Sequence, residues 1–152
     1  MDTSPNIRMV DVGEKAVTER QAVARGRIVM QASTFTALKE GTLPKGDALA
    51  TARLAGIMAA KETYHLIPMC HPLLIENISV DFSLDEKISA VEITAMIKGS
   101  GKTGFEMEAL TAVTVSALTI YDMCKAIDTS LRLENIRLIK KSGGKSGTII
   151  LE

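Results

Sequence analysis

Asn77-Ile78-Ser79-Val80-Asp81-Phe82-Ser83-Leu84 is the stretch whose pattern decides the fold class. Apolar and polar residues alternate through it without a break, the period of a strand with one face on a core and the other in water. Asp85-Glu86-Lys87 supplies a short turn, and Val91, Ile93, Ala95 and Ile97 alternate on the way back. Two such runs joined by a polar turn predict an antiparallel hairpin.

Upstream of the hairpin, ALATARLAGIMAAKET (48–63) reads as an Ala-rich helix with Gly56 at its middle. Asp47 is its N-cap and Pro68 marks the limit it cannot pass. Side chains this small let another backbone approach closely. Gly41, Pro44 and Gly46 punctuate the loop before it, and Val23 to Gln31 reads as an earlier strand. Ala24, Gly26, Ile28 and Met30 share one face of that strand, with no large residue at 24 or 26. Downstream, Gly99 to Gly104 reads as a link into a second helix that runs to about Ala126. Leu110, Val113, Ala117, Tyr121 and Cys124 are the core stripe of that helix. Leu131, Leu133, Ile136, Leu138 and Ile139 predict a last strand, and Thr148 to Leu151 a short extended piece. The order β-α-β-β-α-β is that of an α+β sandwich, with helices packed on one face of an antiparallel sheet.

The chain has 152 residues, the length of a single domain (1–152), in which 1–20 are polar and weakly patterned and read as an N-terminal arm. The 18 Lys and Arg balance the 18 Asp and Glu, so no global field draws the chain to nucleic acid or to an acidic membrane. Any bound anion must be held by a local cluster. Aromatic residues make up 3% with no Trp, too few for a stacking platform for single-stranded nucleic acid. No apolar run approaches the length of a membrane span, and Met1 to Gly13 has no signal-peptide core. Cys70 and Cys124 are too few for a disulfide framework, which makes a reducing cytoplasm the expected compartment.

Two segments imitate phosphate-binding loops. Gly99-Ser100-Gly101-Lys102-Thr103 lacks the glycine that a P-loop requires at position 96, which is Met. Gly144-Lys145-Ser146 would need glycine at Ile139 and precedes no helix pattern. What survives is weaker: glycines beside Lys102, Lys141 and Lys145 expose backbone N–H groups near cations, as an anion site would. Ordinary turns with solvated lysines would look the same.

In Leu66-Ile67-Pro68-Met69-Cys70-His71-Pro72-Leu73, prolines stiffen the backbone on both sides of a Cys-His pair, so His71 is placed. No second pair stands at zinc-ligand spacing, and adjacent residues point apart, so neither a structural zinc site nor a His-activated Cys70 nucleophile fits. A hydrogen-bonded core histidine is the bland alternative. The second helix changes the balance, because Glu106, Glu108, Asp122 and Lys125 sit on an element otherwise made of Ala, Val, Leu, Thr and Ser. Helical spacing puts Glu106 on the apolar stripe, where an unpartnered carboxylate is costly. Glu108 and Asp122 share the opposite face but lie about 21 Å apart along the axis at 1.5 Å per residue. Either they serve different sites, or two chains pack so that one supplies Glu108 and the other Asp122. Ala112, Val115 and Thr119, between them, suit helix contact across a subunit boundary. Arg53, a lone cation in the Ala-rich helix, either caps a surface or clamps an anion.

These strings, taken in order, resemble the MoaC family of molybdenum-cofactor biosynthesis, the cyclic pyranopterin monophosphate synthases. The resemblance runs through Met9-Val10-Asp11-Val12, Lys45-Gly46-Asp47, Ala50-Thr51-Ala52-Arg53, the Cys-His-Pro tract and Gly101-Lys102-Thr103-Gly104. It continues in Glu106-Met107-Glu108-Ala109, Ile120-Tyr121-Asp122-Met123-Cys124-Lys125 and Lys141-Ser142-Gly143-Gly144-Lys145-Ser146-Gly147. It implies a ferredoxin-like subunit in a homohexamer, a trimer of dimers with active sites at dimer interfaces. It implies a lyase that converts (8S)-3′,8-cyclo-7,8-dihydroguanosine triphosphate to cyclic pyranopterin monophosphate and diphosphate. On the family pattern, Met69, Cys70, His71, Met107 and Glu108 bind substrate, Asp122 is the active-site acid or base, and Lys125 and Lys141 are catalytic. Lys45, Arg53, Lys102, Lys141 and Lys145 would then hold the triphosphate, and Glu106 would join Glu108 and His71 on the base-derived rings. No electron changes hands overall, so no redox cofactor is expected; Mg²⁺ with the triphosphate is left open. Outside this reading stand a non-catalytic nucleotide-binding module and a small nucleoside-triphosphate hydrolase.

Overall fold

The computed structural model describes residues 6–152; the first five residues of the expected arm lie outside the described residues. The elements are β1 (Thr18–Val29), α1 (Ala32–Glu40), α2 (Ala48–Lys61), α3 (Thr63–Leu66), β2 (Leu74–Asp85), β3 (Ala90–Gly101), α4 (Glu106–Cys124), β4 (Arg132–Ser142) and β5 (Ile149–Ile150). They form one antiparallel sheet in the order β2-β3-β1-β4-β5. The first four strands in that order, with helices over one face, make the ferredoxin-like α+β sandwich. The β2–β3 hairpin has the register that its alternation predicts, with Ile78 opposite Ile97, Val80 opposite Ala95 and Phe82 opposite Ile93.

The core lies between the sheet's inner face and α2 with α4. Ala22, Ala24 and Ile28 of β1 and Ile93, Ala95 and Ile97 of β3 are fully buried there, with Val113, Ala117 and Ile120 of α4. Gly26 is required because an added Cβ would meet the side chains of Ile136 and Val113 at 2.8 Å. The small residues of α2 have the consequence expected of them. Gly56 rests on α4 so closely that a Cβ would strike the Ser116 hydroxyl at 2.1 Å, while that hydroxyl donates to the Ala52 carbonyl at 3.1 Å.

The structure corrects four expectations. β1 begins at Thr18, so the arm is shorter than residues 1–20. β3 continues through Gly101, so the glycine-rich link is half strand. Ala112 is fully buried against α2, and the free side of α4 instead carries Met107, Thr114 and Leu118. The fourth correction is α1, which the pattern does not announce. Its N-cap, Gln31, makes no side-chain cap bond. The cap comes from a residue 97 positions away: Asp128 accepts from the Gln31 N–H at 2.9 Å, and from the N–H and hydroxyl of Ser130 at 2.8 Å each. No local window contains that signal.

Candidate active site

α4 carries a different site at each end. At its N-terminus, α4 starts at Glu106 after the fully buried Phe105. The 66–73 tract packs beside this end, and Cys70 Sγ lies 3.9 Å from Glu108 Oε2. Glu108 is only 3% exposed, and its Oε1 has no hydrogen-bond partner. Burial drives its carboxyl up to about 7, with the nearby Glu106 charge adding to the effect. The expected placement is therefore reversed: Glu108 is the dry carboxylate. Glu106 sits at the rim, ion-paired with Lys141 Nζ at 3.0 Å. Lys141 reaches it because β4 pairs Lys141 with Ala22, whose face looks toward the helices. Two acidic residues in a first helical turn also complement the helix dipole.

Cys70 and His71 take different partners. Burial and the Glu108 carboxyl push the Cys70 thiol up, which keeps it protonated and a poor nucleophile. His71 Nε2–H donates to the Val10 carbonyl at 2.6 Å. Lys102 Nζ donates to the Gly13 carbonyl at 3.2 Å. The arm thus orders across the chain's own surface, held by two residues of the expected site. Beside it opens a cleft of about 1000 Å³, lined by Glu106, Lys141 and Lys145 and, from the arm and β1, by Asp11, Lys15 and Arg20. Met69 and Met107 are both partly exposed near this end.

At the other end of α4, Asp122 accepts from Lys45 Nζ at 2.9 Å and pairs with Lys125 Nζ at 3.0 Å. Lys45 arrives from the α1–α2 loop, which buried Leu43 and the left-handed Gly41 and Gly46 hold in place. Its hydrogen bond, then that from Lys125, hold the Asp122 carboxyl below the usual carboxylate range. All three groups are about half exposed to water. Lys45 therefore stands with Asp122 and not with Lys141 and Lys145.

Within one chain the structure joins Asp122, Lys125 and Lys45, and separately joins Glu106, Lys141, Lys145 and, beside them, Cys70, His71 and Glu108. It does not bring Asp122 and Lys141 together. Arg53 stands apart from both groups: its Nε donates to the Val80 carbonyl at 2.8 Å and its guanidinium lies over the Phe82 ring at 5.4 Å. These contacts tie α2 to β2, the edge strand of the sheet. Gly99-Ser100-Gly101, in an antiparallel strand, has no P-loop geometry. Sequence reasoning missed Arg20 and Lys15 in the cleft, since a single cation in a polar stretch carries no local signal.

The MoaC family model matches residues 9–144. The chain belongs to the MoaC family. Proteins named cyclic pyranopterin monophosphate synthase from three bacteria illustrate how close the family members are. The chain is 58% identical over 147 residues to that of Chloroflexus aurantiacus, covering 97% of this chain and 90% of the relative. It is 57% identical over 152 residues to that of Roseiflexus castenholzii, covering 100% and 96%. It is 60% identical over 140 residues to that of Thermoanaerobacter pseudethanolicus, covering 92% and 89%. The family match spans both ends of α4, the Cys-His-Pro tract and the start of the Lys141 loop.

Proposed function

We infer that this chain is a cyclic pyranopterin monophosphate synthase, a lyase of molybdenum-cofactor biosynthesis that acts on the cyclised guanosine triphosphate derivative and releases diphosphate. The observation that carries this reading is identity of 57% to 60% with so-named proteins over nearly the whole chain. In the phosphate step a substrate hydroxyl oxygen bonds to the α-phosphorus and the α–β anhydride bond breaks. The hydroxyl proton passes to a base and diphosphate leaves. Asp122, ionised between two lysines, suits the base, and Lys125 and Lys141 suit proton delivery and charge stabilisation. Glu108, holding its proton near neutrality, can donate a hydrogen bond to a ring carbonyl, while Cys70, His71, Met69, Met107 and Glu106 frame the rings. Lys45, Lys102 and Lys145 hold phosphates; Arg53 would do so only from a neighbouring subunit.

The reaction is redox-neutral overall, so its balance calls for neither flavin nor nicotinamide. Among the described residues no three His, Cys, Asp or Glu side chains gather as a metal cage. Mg²⁺ accompanying the triphosphate would accordingly be held by phosphate oxygens and water.

The active unit in this reading is a pair of chains within a homohexamer, in the cytoplasm. The separation of Asp122 from Lys141 supports it, as does the apolar outer side of the helix layer. Leu54, Met58 and Leu118 are each more than half exposed there, and Met107 is 37% exposed. Two α4 helices crossing antiparallel near Thr114 and Leu118 would set the Asp122 end of one beside the Lys141 end of the other. Among the described residues no helix is long and apolar enough to cross a membrane. The deciding assay is incubation with authentic cyclised nucleotide. Formation of the cyclic pyranopterin and diphosphate is the expected result, and diphosphate-free binding or phosphate release from GTP would replace the reading.

A further inference from the structure

β4 changes phase before it reaches the cleft. Ala24 pairs with Leu138 and Val23 with Lys140, so Ile139 is an extra residue in the strand. Arg137, opposite Arg25, faces away from the helices, because Gly26 next to Arg25 turns toward Val113 of α4. Unbroken alternation from Arg137 would send Lys141 to that outer face as well. The bulge is what turns Lys141 inward, to the Glu106 carboxylate at 3.0 Å.

The bulge is held by the short strand β5. The Leu151 N–H donates to the Ile139 carbonyl at 2.9 Å, and Ile149 and Ile150 pair with Lys141 and Lys140. A strand of 2 residues holds little by itself. Glu152 follows it and closes the arrangement. Arg137 Nε donates to its Oε2 at 2.7 Å and Nη2 donates to its Oε1, while Nη1 donates to the Asn135 carbonyl at 3.0 Å. Every nitrogen of the guanidinium is thereby used, and the Arg137 hydrogen bond holds the Glu152 carboxyl below its ordinary value. A bidentate pair of this kind orders what it joins, where a single-contact surface pair does not. The loop between β4 and β5, which carries Lys145, starts against Arg20, where a Cβ on Gly143 would come within 2.9 Å of Cα. Its other end is β5, so the Arg137–Glu152 pair fixes that end too.

We propose that Arg137 and Glu152 are positioning residues for Lys141: as a clasp on the outer face of the sheet they hold β5 on β4, and β5 holds the Ile139 bulge that aims Lys141 at the cleft. That this aim serves turnover rests on the synthase reading; the clasp itself does not. Glu152→Gln in the full-length protein keeps the shape and removes the charge. Hydrogen exchange at the amides of 139–151 should speed about fivefold, and acetic anhydride should label Lys141 about threefold faster. Lys39, ion-paired with Glu86 on α1, and the amides of α2 should be unchanged. With the cyclised nucleotide, kcat should fall about tenfold at an unchanged melting temperature. Glu152→Asp, which keeps the carboxylate, should recover most of that loss. Wild-type exchange and wild-type Lys141 labelling in Glu152→Gln overturn the clasp. Faster exchange in every element, or faster exchange of 139–151 with full turnover, overturns the positioning role. A loosened Lys141 in a protein that forms no cyclic pyranopterin even as wild type would instead keep the clasp and remove the synthase reading.

Discussion

Glu108, at the N-terminal end of α4, and Asp128, just past its C-terminal end, are each 3% exposed. One oxygen of Glu108 meets no donor, and the group is pushed up to about 7. Asp128 is also pushed up by burial, yet the Gln31 and Ser130 N–H groups and the Ser130 hydroxyl outweigh that and hold it below its ordinary value. Asp122, between these two on the same helix, is wet and ionised between lysines. Burial alone therefore does not set the chemistry of a carboxylate; the donors facing it do. One helix consequently offers a proton-holding acid at one end and an ionised base at the other.

The sharpest way to break this contrast is Asp122→Asn, which keeps the shape and removes the charge. Turnover should fall by about 10³-fold, the usual worth of a positioned base, with mass and melting temperature unchanged. Retained turnover would remove Asp122 from the chemistry. The next effect tests whether the two ends meet between chains. Asp122→Asn and Lys141→Ala, each inactive alone, should regain about a quarter of wild-type activity when unfolded and refolded together in equal amounts. Half of random pairs are mixed, and each mixed pair restores one of its two sites. No recovery would mean that each chain works with its own groups.

Asp128→Ala should cost about 2 kcal/mol, since it leaves the Gln31 N–H uncapped inside the protein; the midpoint of urea denaturation reads this. The acidic side of the stability profile should carry the same signature. A carboxyl held below its unfolded value of 3.8 gives stability that is complete above that pH and is lost as pH falls through its folded value. Glu108 has the opposite sign. The folded chain keeps a proton that the unfolded chain releases near 4.5, so stability declines as pH rises from about 4.5 to about 7. Glu108→Gln, which needs no proton, should melt about 3 °C higher than wild type at pH 8 and no higher at pH 4. A gain independent of pH would show that Glu108 is not a strained carboxylate.

How far each element could be read from sequence follows from the range of the interaction behind it. The hairpin of β2 and β3 and the N-cap Asp47, which accepts from Ala50 N–H at 3.0 Å, rest on neighbours a few residues apart and were legible. β4 was legible in place but not in phase, because its register slips opposite Val23/Ala24 and Arg25/Arg27. At the candidate site, the residue types and their separation along α4 could be read, and so could the conflict between that separation and a single small ligand. The Lys45–Asp122 and Glu106–Lys141 pairs could not, since neither partner marks the other in the chain.

Alternation and helical spacing are consequences of local geometry, so the sequence by itself determined which segments are strands, where α2 starts and that two carboxylates stand far apart on one helix. Which of those carboxylates stays dry, which lysine neutralises which acid, and that Arg20 meets the Gly143-Gly144 turn were decided only by tertiary packing. Electrostatic surroundings depend on groups brought from distant parts of the chain, and no local pattern records their arrival.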